Sequence, residues 1–484
     1  MVESAPVASA VDLSHRRSVH LVGVGGSGIS AIAVILATMG HRVSGADVRE
    51  TPAWPALTDA GVDLQVAPAS ELFRAPAGTE VVAHSTAFPP GPADMVEARR
   101  DGRQIVDRAQ ILAAICRTRP TVAVSGTHGK TSTTAMLATL LDRAGGDPSF
   151  LVGAVPASLG SAARWTGENS HFVVEADESD SSFLALDAEI AVVTNIDEDH
   201  LDHWGDIDAI EAGFNRFVAN APRSVVCIDD PWRRGEVEPR AERVAREHTS
   251  VTVGEVRSAD WVIHDVEVEQ LTTRFGLSHD GVELGPVEIG TPGRHHSRNA
   301  ATAIATAHLM GVRPADAVAA VGAYVGVSRR FEVVGRARGV TVVDDYAHNP
   351  GKVHALVSSA AEAGWERVVA VFQPHRYTRT RDQAADFGAA LAPADLVAVT
   401  DVYPAGEDPI PDVSGLRVVE SVLDQRPWAA VAWLPELGDV VTWAAARLRP
   451  GDLCLTIGAG DISGLGPRLL SALGGSERDT TDGP

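Results

Sequence analysis

The feature that most constrains this chain is a glycine-rich turn, Gly126-Thr127-His128-Gly129-Lys130-Thr131, set between the apolar run TVAVS and a helical segment over residues 130–143. A strand that delivers such a turn to a helix N-terminus gathers backbone N–H groups in one place, a cradle for phosphate. In that setting Lys130 reaches the β- and γ-oxygens of a nucleoside triphosphate, and the Thr131 hydroxyl ligates Mg²⁺. The full spacing of this type of loop has glycine at position 124, which is Val124 here, so the loop is a shortened variant. Its ligand is expected to be ATP; the competing reading is a strand-helix turn with a capping lysine.

A second turn, Gly23-Val24-Gly25-Gly26-Ser27-Gly28, follows the strand-like SVHLV and opens a helix, with Asp47 at the end of the next strand about twenty residues on. Its glycines let backbone N–H groups approach a pyrophosphate. NAD, FAD or a UDP-sugar would each satisfy these atoms, so the turn identifies a diphosphate and leaves its chemistry open. Ser85 and Thr86, at the end of EVVAHSTA, are placed to donate to the same ligand.

With 484 residues, at roughly 150 per domain, about three domains are expected. Residues 18–117 alternate short apolar runs with helical segments, the rhythm of βαβ units around a parallel sheet. Residues 118–327 start at TVAVSG and add HFVVEAD and EIAVVTNID as buried strands. Alternation in WVIHDVEVE, TTRFGLSHD and GVELGPVEIG then predicts antiparallel strands on that same domain. Residues 328–472 resume the strand and helix alternation as another doubly wound sheet. The fold class is therefore α/β: two Rossmann-like domains flanking a P-loop ATPase-like one with extra antiparallel strands. Residues 1–17 read as a flexible N-terminus and 473–484 as a disordered tail.

The formal charge is -23, from 41 Lys plus Arg against 64 Asp plus Glu, which disfavours nucleic acid and anionic lipid as partners. An anionic substrate then requires a local basic site. Three cysteines, Cys116, Cys227 and Cys454, support neither a disulfide framework nor a thiolate cage. Without a basic leader or a run long enough to span a bilayer, the expectation is a cytoplasmic protein away from membranes, monomer or homodimer.

Other clusters lie at predicted strand ends. Glu175 closes HFVVE, and Asn195-Ile196-Asp197-Glu198-Asp199-His200 is an acidic run with one imidazole; Glu175 and His200 are the residues selected from them for Mg²⁺ that shares a triphosphate. Asn299 stands at a helix start after Gly293 and His295, where a helix cap is the alternative role. Arg330 in RRFE offers a guanidinium for phosphate. Asp345, Tyr346 and His348 in DDYAHN follow a strand, as do Arg376 and Arg379 in QPHRYTRTR, and the latter segment forms the local basic patch where carboxylate or phosphate is held bidentately.

Taken in order, GVGGSG, GTHGKT, EADESD, NIDEDHLDH, RRFE, DDYAHNP, FQPHRYTRT, DVYPAGEDPI and GAGDI resemble the Mur ligases of peptidoglycan synthesis over about residues 18 to 470. The resemblance implies an ATP- and Mg²⁺-dependent amide ligase, with Mn²⁺ able to substitute, that joins L-alanine to the lactoyl carboxylate of UDP-N-acetylmuramate through an acyl phosphate. A relative that reattaches recycled tripeptide is the nearest alternative within the family. Carried onto matching positions, Gly126, Thr127, His128, Gly129, Lys130, Thr131 and Ser132 would bind the ATP phosphates, with Lys130 stabilising the transferring group. Thr131 and Glu175 would hold one metal and His200 a second; Asn299, Arg330 and Asp345 would contact the nucleotide. Gly23, Gly25, Gly26, Ser27, Gly28, Asp47 and Ser85 would hold the UDP part. Tyr346, His348, Arg376 and Arg379 would face the muramoyl carboxylate and the incoming amino acid. The chain departs from the family pattern at His296, Ser181 and Asn349, where asparagine, glycine and histidine are usual. A nicotinamide oxidoreductase, which the first glycine turn alone permits, leaves GTHGKT without a role, and a non-catalytic nucleotide switch leaves Arg376 a surface feature.

Overall fold

The computed structural model describes residues 11–167, 170–229 and 239–474. Its strands form three sheets. The first contains β1 (Ser18–Val22), β2 (Arg42–Asp47), β3 (Asp63–Val66), β4 (Val81–His84) and β5 (Gln104–Asp107), all parallel, in the order β3-β2-β1-β4-β5. That order reverses direction between β1 and β4, the position at which open α/β sheets bind ligands beyond their strand ends.

The second sheet contains β6 (Thr121–Ser125), β7 (Ser149–Leu151), β8 (Ala163–Arg164), β9 (Phe172–Glu175), β10 (Ile190–Val193), β11 (Arg223–Cys227), β12 (Val251–Gly254), β13 (Trp261–Glu269), β14 (Thr272–His279) and β15 (Val282–Ile289). Its order is β15-β14-β13-β12-β11-β10-β6-β9-β7-β8. The central strands are buried end to end (VAVS, FVV, IAVV), as both faces of a parallel sheet demand. The links between β13, β14 and β15 are two residues long, which only antiparallel neighbours allow. Asp280 and Gly281, both at positive φ, make the second of them.

The third sheet contains β16 (Glu332–Ala337), β17 (Val340–Asp345), β18 (Arg367–Phe372), β19 (Leu396–Val399), β20 (Ala430–Trp433) and β21 (Asp452–Ile457), in the order β16-β17-β21-β18-β19-β20, with β16 antiparallel at one edge.

The strands form the three sheet-containing regions expected, and by internal contacts the chain groups into two compact units. The first holds Met1–His264, Gly276–Val287 and Arg298–Tyr324, and the second Asp265–Phe275, Glu288–Ser297 and Val325–Pro484. The first two sheets share one apolar core, in which Val19, Leu36 and Ile115 join Phe172, Phe183 and Phe214. Parts of the antiparallel strands group with the second unit, because Leu271 packs against that unit's core.

Residues 11–17 are also not the free lead-in expected of them. Val11 and Leu13 are buried in the first core, and Arg17 pairs with Glu80 at 2.8 Å. Residues 1–10, the rest of the expected flexible N-terminus, and 475–484, nearly all of the expected tail, lie outside the described residues. Arg119, just before β6, is anchored by Ser149 and Ser170 and lies 3.6 Å over the Trp165 ring.

Candidate active site

In the first unit, register brings the second glycine turn together with its partners. Val124 of β6 pairs with Glu175 of β9, and Ser125 with Val193 of β10, so the turn leaves β6 between Glu175 on one side and Thr194-Asn195 on the other. Gly126 and Gly129 have φ of +140° and +81°, values that a side chain resists. A Cβ on Gly126 would stand 2.0 Å from Thr194 Oγ1, and one on Gly129 would stand 2.7 Å from Asn299 Oδ1. The turn is therefore closed from both sides by neighbouring polar side chains.

Hydrogen bonds fix the loop. The His128 N–H donates to Asn195 Oδ1 at 2.9 Å, the Asn195 amide donates to the His128 carbonyl at 2.8 Å, and Thr127 Oγ1 donates to the Asp197 carbonyl at 3.1 Å. The helix Lys130–Arg143 then starts, and its residues 132–141 are all buried. Lys130 Nζ donates to the Gly126 carbonyl at 2.8 Å and stands 2.6 Å from Glu178 Oε2. Lys130 is thus held between a backbone carbonyl and a buried carboxylate. Burial pushes the Glu178 carboxyl up from its ordinary range, and Lys130 opposes that shift. Thr131 Oγ1 donates to Glu175 Oε1 at 2.9 Å, while Glu175 Oε2 accepts from the Gly153 N–H at 2.7 Å.

Buried Ser125 Oγ, His128 Nδ1, Thr133 Oγ1 and Asn299 Nδ2, in and around this turn, have no hydrogen-bond partner among the described residues. Buried polar atoms left this way are costly, and a cradle of backbone N–H groups with unanswered side chains fits a triphosphate. A hydroxyl and a carboxylate oxygen side by side also fit Mg²⁺, which takes few protein ligands and shares phosphate oxygens. No group of three or more His, Cys, Asp or Glu able to hold a metal occurs among the described residues. His200 sits at φ +52° before the short helix Leu201–Trp204, 3.8 Å from Asp199, and no contact joins it to Glu175 or Thr131.

The other glycine turn follows β1. The Gly25 N–H donates to Asp47 Oδ2 at 2.8 Å, and Asp47 Oδ1 accepts from the Val48 N–H at 2.7 Å. One oxygen of this buried carboxylate therefore fixes the glycine turn and the other the backbone just after β2, a role that spacing alone did not reveal. The Ser85 N–H donates to the Val22 carbonyl at 3.0 Å, and a Cβ on Gly23 would lie 3.1 Å from Ser85 Cβ, so Ser85 borders the turn. The helix Ser27–Thr38 has no side-chain cap, which leaves its first N–H groups facing outward.

In the second unit, the ends of β17 and β18 flank β21. Asp345 is buried; its Oδ2 accepts from the Phe331 N–H and its Oδ1 from the Ala347 N–H, both at 2.8 Å. Here too a carboxylate assigned to a ligand organises backbone, in this case the turns bearing Arg330 and Tyr346. Arg329 and Arg330 lie 4.8 and 5.5 Å over the Tyr346 ring. His348 touches Tyr346 and His375, with ring centroids 5.0 and 5.8 Å away. Burial above all lowers His348 to about 3, so it is neutral. Arg376 has φ +71°, a strained value for a non-glycine residue, and its N–H donates to the Tyr403 carbonyl at 2.9 Å. Arg379 donates to the His348 carbonyl at 3.4 Å. Tyr346, His348, Arg376 and Arg379 thus gather at one edge of this sheet. Asn349 caps the helix Pro350–Glu362 through Lys352, and His296 is buried against Thr291; two of the departures from the family pattern have structural roles.

Sequence reading gave no individual role to Glu178, Asp177, Thr194, Asn195 or Arg108. The first four lay within or beside motifs already singled out, EADESD and NIDEDH, whereas Arg108 had no local signal.

Two phosphate-type turns on parallel sheets of one unit, one carrying a Lys-Thr pair against carboxylates, define an α/β nucleotide-dependent enzyme. The chain belongs to the Mur ligase family: residues 18–120 match the Mur ligase family catalytic domain, 124–307 the Mur ligase middle domain, and 329–460 the Mur ligase glutamate ligase domain. It is 41% identical over 465 residues to UDP-N-acetylmuramate--L-alanine ligase of Anaeromyxobacter dehalogenans, covering 95% of this chain and 98% of that one. It is 42% identical over 462 residues to the enzyme of the same name from Acidothermus cellulolyticus, covering 94% of each. The crystal structure of UDP-N-acetylmuramate-alanine ligase from Thermotoga maritima superposes with a TM-score of 0.77 at 25% identity, over 94% of this chain and 98% of that one.

Proposed function

We propose that this chain is an ATP-dependent ligase that joins the amine of L-alanine to the lactoyl carboxylate of UDP-N-acetylmuramate, in the synthesis of peptidoglycan precursors. The observation that carries the reading is the Gly126–Thr131 turn, with Lys130 between the Gly126 carbonyl and Glu178 and with Thr131 on Glu175. Relatives named for this activity match nearly their whole length.

A carboxylate does not react with an amine until one oxygen becomes a leaving group. In the proposed sequence a carboxylate oxygen takes the γ-phosphoryl group, ADP departs, the alanine nitrogen attacks the acyl carbon, and phosphate leaves as the nitrogen loses its proton. Lys130 and the turn's N–H groups would neutralise the charge on the phosphates, and most of the rate would come from positioning and electrostatics. Mg²⁺, held by Thr131 and Glu175, would supply further neutralisation; a role for His200 in holding a second ion belongs to this proposal. Asn299 and Arg330 are each proposed as nucleotide-binding residues. Gly23, Gly25, Gly26, Ser27, Gly28 and Ser85 are proposed to hold the diphosphate and nucleoside. Asp47 and Asp345 would act indirectly, by fixing the turns that do so. Tyr346, neutral His348, Arg376 and Arg379 are proposed to receive the carboxylates of the sugar and of alanine. No nucleophilic cysteine is needed: burial pushes all three thiols up to about 12. No helix among the described residues is long and apolar enough to cross a membrane, and the proposed site of action is the cytoplasm.

The test is ADP release by purified protein with ATP, Mg²⁺ and UDP-N-acetylmuramate, offered L-alanine, glycine, L-serine or the tripeptide L-alanyl-γ-D-glutamyl-meso-diaminopimelate. Release with L-alanine supports the reading. Release with the tripeptide alone reassigns the acceptor, and no release with any of them overturns the proposal.

A further inference from the structure

Arg108 stands between the two glycine turns. It begins the helix Arg108–Cys116, whose start is fixed by a capping box in which Asp107 accepts from the Gln110 N–H at 2.8 Å and Gln110 Oε1 accepts from the Asp107 N–H at 2.9 Å. From there its side chain runs to the first turn of the helix Ser27–Thr38. A Cβ on Gly28 would lie 3.2 Å from one guanidinium nitrogen and 3.3 Å from Arg108 Cδ. The other terminal nitrogen is 3.7 Å from Asp177 Oδ2, on the acidic turn that also carries Glu178, the partner of Lys130.

Three physical points make this arrangement informative. A guanidinium has five N–H donors, yet among the described residues Arg108 makes no hydrogen bond; 3.7 Å to Asp177 is an ion pair without one. A cation against a helix N-terminus also opposes the helix dipole, an arrangement that an anion between them would reverse. Asp177, in turn, stands next to Glu178, so the ion pair of Arg108 beside one phosphate turn and the ion pair of Lys130 on the other adjoin along a single acidic turn.

We propose that Arg108 is a positioning residue for the diphosphate of the nucleotide sugar, held by Asp177 in the free chain and transferred to the diphosphate on binding, so that filling the first turn changes the charge balance around Lys130. This rests on the first turn holding the UDP part, as proposed above. The transfer exchanges a long ion pair for charge-assisted hydrogen bonds, which a planar guanidinium makes well to diphosphate oxygens.

The test uses UDP as the probe, titrated calorimetrically into the full chain, with ADP titration and thermal unfolding as checks on folding. Arg108→Gln should weaken UDP binding by about ten- to a hundredfold, the range for losing hydrogen bonds to a charged group, with ADP binding changed less than about twofold. Arg108→Lys should recover part of the loss. Asp177→Asn should tighten UDP binding severalfold, and that gain should vanish in the Arg108→Gln background. Unchanged UDP affinity in Arg108→Gln overturns the proposal, and an Asp177→Asn effect that persists without Arg108 overturns the transfer. If the unsubstituted chain binds no UDP, the assignment of the first turn fails, a result distinct from either of these. Should Arg108→Gln lose ADP binding as well, Arg108→Lys decides: full UDP binding or none in a folded Arg108→Lys chain counts against a bidentate contact.

Discussion

Replacing Lys130 by methionine keeps the aliphatic stem and deletes the charge opposite Glu178. The pair is tight and dry, 2.6 Å apart with side chains 16% and 3% exposed. Removing one partner of a buried pair costs about 3–5 kcal/mol, because the remaining charge is left in a poor solvent. Lys130 is the more accessible of the two, so about 3 kcal/mol is expected at alkaline pH, roughly two decades in the unfolding equilibrium. The sign with pH follows from Glu178. A carboxyl whose folded-state pKa lies above its unfolded value loses native stability as pH rises through that interval. Burial already raises Glu178 and Lys130 restrains the rise, so deleting the lysine widens the interval. The deficit of Lys130→Met should therefore be slight near the ordinary glutamate value of 4.5 and grow toward pH 8. Adding Glu178→Gln removes the stranded charge and should restore most of the loss, while ADP formation stays absent in both variants. Urea unfolding without nucleotide at pH 5 and pH 8 measures this, with tryptophan fluorescence as the signal, since Trp204 Nε1 donates to the Glu178 carbonyl at 3.0 Å. A deficit equal at both pH values, or a double variant no more stable than Lys130→Met, would refute the reasoning.

Two further outcomes are expected. Gly129→Ala meets both a positive φ of +81° and the Asn299 side chain, whereas Gly40→Ala, at φ +91°, meets nothing within 4 Å. Both should lose about 1–2 kcal/mol from the left-handed backbone, but only Gly129→Ala should lose ATP affinity, by tenfold or more; equal nucleotide titrations would contradict the cradle. His348, lowered to about 3, stays neutral in the folded chain while its unfolded form takes up a proton below the ordinary value of 6.5. The native state should therefore lose up to about 1.4 kcal/mol per pH unit on this account as pH falls below 6.5, and His348→Gln should remove that part of the slope. A histidine resonance of His348 that titrates near 6.5 in the folded chain would exclude it.

Local sequence pattern was enough for the elements. Runs such as TVAVS and EIAVV are too apolar for anything but a buried parallel strand, and the helix after Gly129 spans Lys130–Arg143, as read. Other features depended on neighbours distant in sequence. Val11 and Leu13 gave no periodic signal, yet they join the first core. Asp47 and Asp345 sit where a ligand contact is expected, but backbone N–H groups claim their oxygens. Arg108, at the start of a helix whose residues 111–116 are all buried, reaches the glycine turn because β5 lies beside β4 and its helix starts at the Asp107 cap.

By itself the sequence determined that this is an α/β chain with two phosphate-type turns, because strand, glycine turn and helix are written in contiguous residues whose burial and φ requirements are local. Only the tertiary structure decided how carboxylates meet those turns, and it alone brought in Glu178. Glu175 reaches Thr131, and Glu178 reaches Lys130, through the pairing of β9 with β6 and the fold of the loop that follows. Strand order and register are properties of the whole sheet, set by packing among segments tens of residues apart, so no single motif encodes them.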